Sequence, residues 1–180
     1  MSSKSLNSIA GFSTGIGFYL SGLEEVREQL REAVEKMSDQ HIDNPAIPDA
    51  HAIGALVLHI GEAEWYWMQG VVSGQKVTAE VRNAPFWDVL KDPEAFAGKG
   101  YSAEFCLSEI KKIRAQTCET LATFKDSDLE RIFSIERGGE IHDRSLRWIL
   151  HHLIDHEAQH KGQILMLKRL QGLKNEGLFS

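Results

Sequence analysis

Residues Ser145 to Leu170 form a proline-free run in which Leu146, Ile149, Leu153, Ile164 and Leu167 recur at helical spacing. The same run carries His151, His152, His156 and His160, four of the eight histidines in the chain. At about 100° per residue the five apolar side chains trace one stripe along a helix. His156 and His160 fall inside that stripe about 40° apart, His152 lies at its edge, and His151 lies well off it. An unpaired polar group on a buried face costs free energy. Two imidazoles one turn apart on such a face therefore need partners, and a metal ion is the leading one.

The rest of the chain bounds what this helix belongs to. With 180 residues, one domain spanning 1–180 is expected, long enough for a core without disulfide staples. A net charge of −6 and the lack of a Lys/Arg block argue against a nucleic-acid partner. No run approaches the ~18 apolar residues of a membrane span, and the N-terminal residues lack the apolar segment of a signal peptide. The two cysteines, Cys106 and Cys118, are too few for a disulfide framework or a cysteine zinc site and read as small core residues. A reducing cytoplasm fits.

Four amphipathic helices account for most of the length. After a loose arm over 1–14, a first helix from about Ile16 buries Phe18, Leu23, Val26, Leu30, Val34 and Met37 and exposes Glu24, Glu28, Arg31, Glu32 and Glu35. Pro45 and Pro48 break it. A second helix, capped at Asp49 and running to about Val72, turns Ala52, Leu56, Ala63, Tyr66 and Trp67 inward, with His59 at the middle of that face. A long irregular loop covers 73–102, in which Pro85-Phe-Trp-Asp-Val-Leu reads as an apolar lid or a helical turn. Loops this long in a compact domain are commonly functional. A third helix follows Ser102 to about Lys125. Gly138-Gly139 then marks the turn of a small hairpin, and Asp143 or Ser145 caps the fourth helix. The expected fold class is all-α, an up-down four-helix bundle with a long loop between helices 2 and 3 and a small hairpin before helix 4.

In a bundle a metal site is built from side chains on facing helices. His156 and His160 supply two ligands, and His59 is the remaining histidine centred on an apolar face. The expected set is His59, His156 and His160, leaving an open position of the catalytic type; zinc is the default ion, and nickel, iron or copper also suit imidazole. The plain alternative is a group of core histidines hydrogen-bonded to Tyr66, Gln163 or one another. His152 is a packing residue, a substitute ligand or a ligand-orienting residue, and Asp155 and Gln163 are candidates for orienting a ligand nitrogen. His41, His51, His142 and His151 read as surface or loop residues. His156-Glu-Ala-Gln-His160 also spells the zincin motif, which makes Glu157 a weak candidate for a general base toward metal-bound water.

Leu58-His59-Ile60 and His152-Leu-Ile-Asp-His156-Glu-Ala-Gln-His160-Lys-Gly-Gln-Ile164 together resemble the DinB-like (DinB/YfiT) superfamily of metal-dependent proteins. The resemblance covers essentially the whole chain, and the His-x-x-x-His-Lys-Gly-Gln-Ile ending is its most specific part. It implies a four-helix bundle, often a homodimer, that holds zinc or nickel with one histidine from helix 2 and two from helix 4. Some relatives are thiol-dependent transferases or isomerases, and others are described as hydrolases. The maleylpyruvate-isomerase-like branch would place Glu at one position of the fourth-helix pair, where this chain has His at both. The function implied is a metal-dependent enzyme activating a low-molecular-weight thiol or water against a small electrophile, with Arg144 or Arg147 available to a thiol's carboxylates. The alternative is a non-catalytic, metal-binding, stress-associated dimer.

Overall fold

The computed structural model describes residues 5–91 and 96–174. Its elements, in order, are α1 (Thr14–Val34), α2 (Asp39–Asp43), α3 (Ile53–Trp65, continued by a π-helix over Tyr66–Val72), α4 (Ala79–Arg82), α5 (Ala103–Leu121), a 3-10 turn (Asp126–Glu130), β1 (Ile132–Arg137), β2 (Glu140–Ser145) and α6 (Leu146–Leu170).

Local chemistry sets most of these boundaries. The Ser102 hydroxyl accepts from the Phe105 amide at 3.0 Å, and the Ser145 hydroxyl from the Trp148 amide at 3.2 Å, so each serine satisfies a donor that its helix leaves unpaired. At the start of α1 the cap comes from far along the chain. Asp126 Oδ1 accepts from the Gly15 and Ile16 amides at 2.8 and 3.2 Å. The second helix begins after Ala52, not at Asp49, which takes a positive φ of 62° in the preceding turn. Part of the expected loose arm is docked: the Ser8 hydroxyl donates to Thr14 O at 3.0 Å and the Ile9 amide to Gly17 O at 3.3 Å. Residues 1–4 lie outside the described residues.

α3 is buried on nearly every side, from Ile53 through Leu58 and Ile60 to Trp65, and packs against both α5 and α6. α1 lies chiefly against α6, more lightly on α5, and not chiefly on α3, the next long helix along the chain. The four long helices therefore do not pack in chain order. Phe18 is a second correction. It is 45% exposed, while Ile16, Leu20, Leu23, Val26 and Leu30 form the buried stripe.

β1 and β2 pair antiparallel from Ile132↔Ser145 to Arg137↔Glu140. The two-residue turn between them uses Gly138 and Gly139 at φ 62° and 82°, the left-handed conformations that a tight hairpin of this twist requires. The 73–102 segment is only partly irregular. It contains α4, and Phe86 enters the core.

Candidate metal centre

α3 presents His59 and α6 presents His156 and His160 to one point. One ligand nitrogen from each of the three lies within 4.8 Å of the others, and His156 Nε2 and His160 Nε2 are 3.2 Å apart. The ring centroids are 5.2 Å apart for His59 and His156, 5.0 Å for His59 and His160, and 4.5 Å for His156 and His160. All three residues are half-buried.

The opposite ring nitrogens are held. Glu62 Oε2 lies 3.0 Å from His59 Nδ1, and the other oxygen of that carboxylate accepts from the Asp88 amide at 2.7 Å. Gln163 Oε1 lies 2.9 Å from His160 Nδ1. Such contacts fix ring orientation and leave the other nitrogen free to face its neighbours. Gln163, a candidate from the sequence, makes one of these contacts, and Glu62, which makes the other, was missed there. Its i,i+3 position relative to His59 was the available signal. Asp155 does not orient a ligand: it accepts from Gln159 Nε2 at 2.7 Å on the exposed side of α6.

Burial drives the His156 pKa down to about 3, helped by the charges that His160, His59 and His152 would carry. Burial also lowers that of His160, against a raising contact with Gln163, and His59 and His51 add to the lowering. His51, read from the sequence as a surface or loop residue, therefore lies near His160, and its Nδ1 is buried without a hydrogen-bond partner. His156 and His160 are thus pushed toward neutral imidazole, the form that ligates metal.

Glu157 serves a different purpose from the one the zincin motif suggests. It is 2% exposed and accepts from Arg27 Nε at 2.6 Å, Arg27 Nη2 at 3.1 Å and Arg114 Nη2 at 3.4 Å. Glu64 completes the group, taking Arg114 Nε at 2.7 Å and Arg27 Nη2 at 2.9 Å. The four residues come one each from α1, α3, α5 and α6, so the network ties the long helices together beside the histidines. Burial alone would raise the Glu64 carboxyl, but the charges of Arg114 and Arg27 outweigh it and hold its pKa at about 2. With both oxygens committed to guanidinium groups, Glu157 is not a base for water. Burial raises both cysteine thiols, Cys106 to about 12, in keeping with a packing role.

A cavity of 960 Å³ opens beside the histidines. Tyr66, Trp67 and Trp87 form its aromatic wall, with Trp148 and His152 from α6, and β1–β2 closes another side with Ile135, Arg137, His142 and Arg144. His152 stacks on Trp148 at 4.8 Å and 9°, and lies 5.9 Å from the His156 ring, so it lines the cavity without joining the three-nitrogen group. The long loop contributes Val77, Trp87 and Leu90 to the rim. Arg147 points elsewhere, to Glu130 at 2.7 Å. The π-helix at Tyr66–Val72 supplies Tyr66 and Trp67, an irregularity of the kind that often accompanies functional sites.

The family model for mycothiol-S-transferase matches residues 20–171. The chain belongs to that family. The match spans both helices of the histidine cluster and the hairpin, and it places the chain in the DinB-like superfamily. Among solved structures, a DinB-like protein from Bacillus cereus is similar over 89% of this chain and 95% of its own, at 22% identity and a TM-score of 0.64. YfiT from Bacillus subtilis, described as a probable metal-dependent hydrolase with an unusual four-helix bundle topology, is similar over 88% and 89%, at 20% identity and 0.62. A conserved protein from Enterococcus faecalis covers 84% and 94%, at 15% identity and 0.63. These likenesses are to the fold. No match is found among the curated proteins.

Proposed function

We propose that this chain is a divalent-metal-dependent S-transferase that joins a low-molecular-weight thiol to a small electrophile in the cavity beside the three histidines. The observation that carries the reading is the convergence of His59, His156 and His160, with burial lowering the pKa of His156 and His160 and two rings anchored by Glu62 and Gln163. This donor set fits zinc or nickel, and the adjoining cavity argues for a site that admits substrate over a closed structural one. A bound ion would lower the pKa of a thiol or a water beside it.

What the protein's own residues do favours the thiol. Water attack calls for a positioned base. Glu157 is bound to Arg27 and Arg114, and Glu62 to His59 and the Asp88 amide, so neither carboxylate is free for that work. A thiol needs only to lose its proton to solvent; its sulfur then bonds the electrophilic carbon as the leaving group departs. Trp67, Trp148 and His152 offer flat faces to an apolar electrophile.

The test is transfer to 1-chloro-2,4-dinitrobenzene by metal-loaded protein across a panel of thiols that includes mycothiol. Thiol-dependent chloride release above the uncatalysed rate, lost in His160→Ala, is the expected result. Hydrolysis of ester substrates without any thiol dependence would overturn it.

A further inference from the structure

Glu62 holds two groups with one carboxylate. Its Oε2 lies 3.0 Å from His59 Nδ1, and its Oε1 accepts from the Asp88 amide at 2.7 Å. An ionised carboxylate only accepts, so each oxygen takes one N–H and the proton of the neutral His59 ring sits on Nδ1. The other ring nitrogen is then the one whose lone pair is left for the point shared with His156 and His160. A side-chain amide could not do the same. With one accepting oxygen, it would turn its own N–H groups on one of the two donors.

The Asp88 end of this bridge belongs to the rim of the cavity. Trp87, Asp88, Leu90 and Lys91 line it, and Phe86 beside them is sunk in the core. Trp87 packs edge-on against Trp65 of α3, with ring centroids 5.6 Å apart. Among the described residues, the other hydrogen bonds of segment 84–91 stay local: the Ala84 amide donates to Val81 O, the Trp87 amide to Ala84 O, and the Lys91 amide and Nζ to Asp88. The bond to Glu62 is thus, among them, the one that ties the rim to a long helix. Asp88 also takes a φ of 54°, a conformation that residues with a Cβ populate sparsely and that persists where neighbours hold it. The bond to Glu62 is one such hold.

We propose that Glu62 is a positioning residue that couples the metal centre to the cavity rim. Ligation through His59 requires the tautomer whose Nδ1–H faces Oε2, and that bond steadies the carboxylate where Oε1 meets the Asp88 amide. The rim in turn steadies the ring. Such coupling is reciprocal: the factor by which the ion favours a closed rim is the factor by which a closed rim favours the ion. The proposal rests on the three-histidine metal reading above and is independent of which thiol or electrophile the site takes.

The test uses full-length protein, metal-free and zinc-loaded. Hydrogen exchange of the Asp88 amide, followed by NMR, reads the tether, and the amides of the β1–β2 hairpin, which also borders the cavity, are the control. Competition with a chromogenic chelator reads zinc affinity. Zinc is expected to slow exchange at Asp88 by about fivefold or more beyond any change in the hairpin, within the usual range of coupling between sites. Glu62→Gln should lose that response. Asp88→Val alters no atom of His59 or Glu62 and gives up only an exposed ion pair with Lys91. A β-branched residue resists a positive φ, so the amide at position 88 is drawn away from Glu62. Zinc affinity in this variant is expected to fall about fivefold with an unchanged far-UV circular dichroism spectrum. Exchange at Asp88 that zinc slows no more than in the hairpin, a response that survives Glu62→Gln, or an Asp88→Val variant that binds zinc as tightly as the parent overturns the coupling and leaves the metal reading standing. Unaltered protein that takes up no zinc overturns both.

Discussion

At the scale of single residues, the histidines were legible because a ring on an apolar helical stripe is conspicuous in any wheel. His59, His156 and His160 were found that way, and the structure brings their nitrogens together. Glu157 was misread because a motif reports which residues are neighbours on one helix, not what faces them from another. Arg27 and Arg114 lie 130 and 43 positions away in the chain. Removing one partner of a buried, hydrogen-bonded charge pair leaves the other charge uncompensated. Glu157→Gln is therefore expected to lower the unfolding free energy by about 3–5 kcal/mol in urea titrations. A catalytic base in its place would give lost turnover with an unchanged urea midpoint.

At the scale of elements, the caps and the hairpin were readable from local chemistry. Ser102 and Ser145 are good N-caps wherever they stand before a helical pattern, and Gly138-Gly139 asks for a tight turn. Phe18 was not readable in the same way. Two residues beyond Ile16 it lies about 200° round the helix, on the solvent side of a stripe that the other apolar residues keep. The close approach of α3 to α5 was also invisible, since it depends on what a glycine faces. A Cβ at Gly61 would lie 2.7 Å from Ile110 Cγ2 and 3.0 Å from Ile113 Cδ1. Gly61→Val should accordingly cost about 1–3 kcal/mol by overpacking, read as a lower urea midpoint. A variant as stable as the parent would show that α5 moves away without penalty.

At the scale of the whole molecule, the bundle was expected but its packing order was not, because no local pattern says which amphipathic faces meet. The ion-pair network draws residues from all four long helices, and it makes the molecule sensitive to acid. An unfolded chain protonates Glu64 near its ordinary 4.5, whereas the folded protein holds it ionised to about 2. The stability this carboxylate contributes is complete above pH 4.5 and lost as the pH falls toward 2. Urea midpoints should fall across that window, and Glu64→Gln should start lower and vary less; parallel profiles would show that Glu64 does not carry the acid sensitivity. The same network holds α6 against α1, α3 and α5, with His156 and His160 turned toward His59. The claim on which the functional account rests is that these three rings bind one ion together. Elemental analysis of the purified full-length protein, beside His59→Ala, His156→Ala and His160→Ala, tests it directly. The account predicts close to one divalent ion per chain, zinc or nickel, in the unaltered protein and its loss from each variant. Full metal retained in the variants, or an unaltered protein that cannot be loaded, would contradict it.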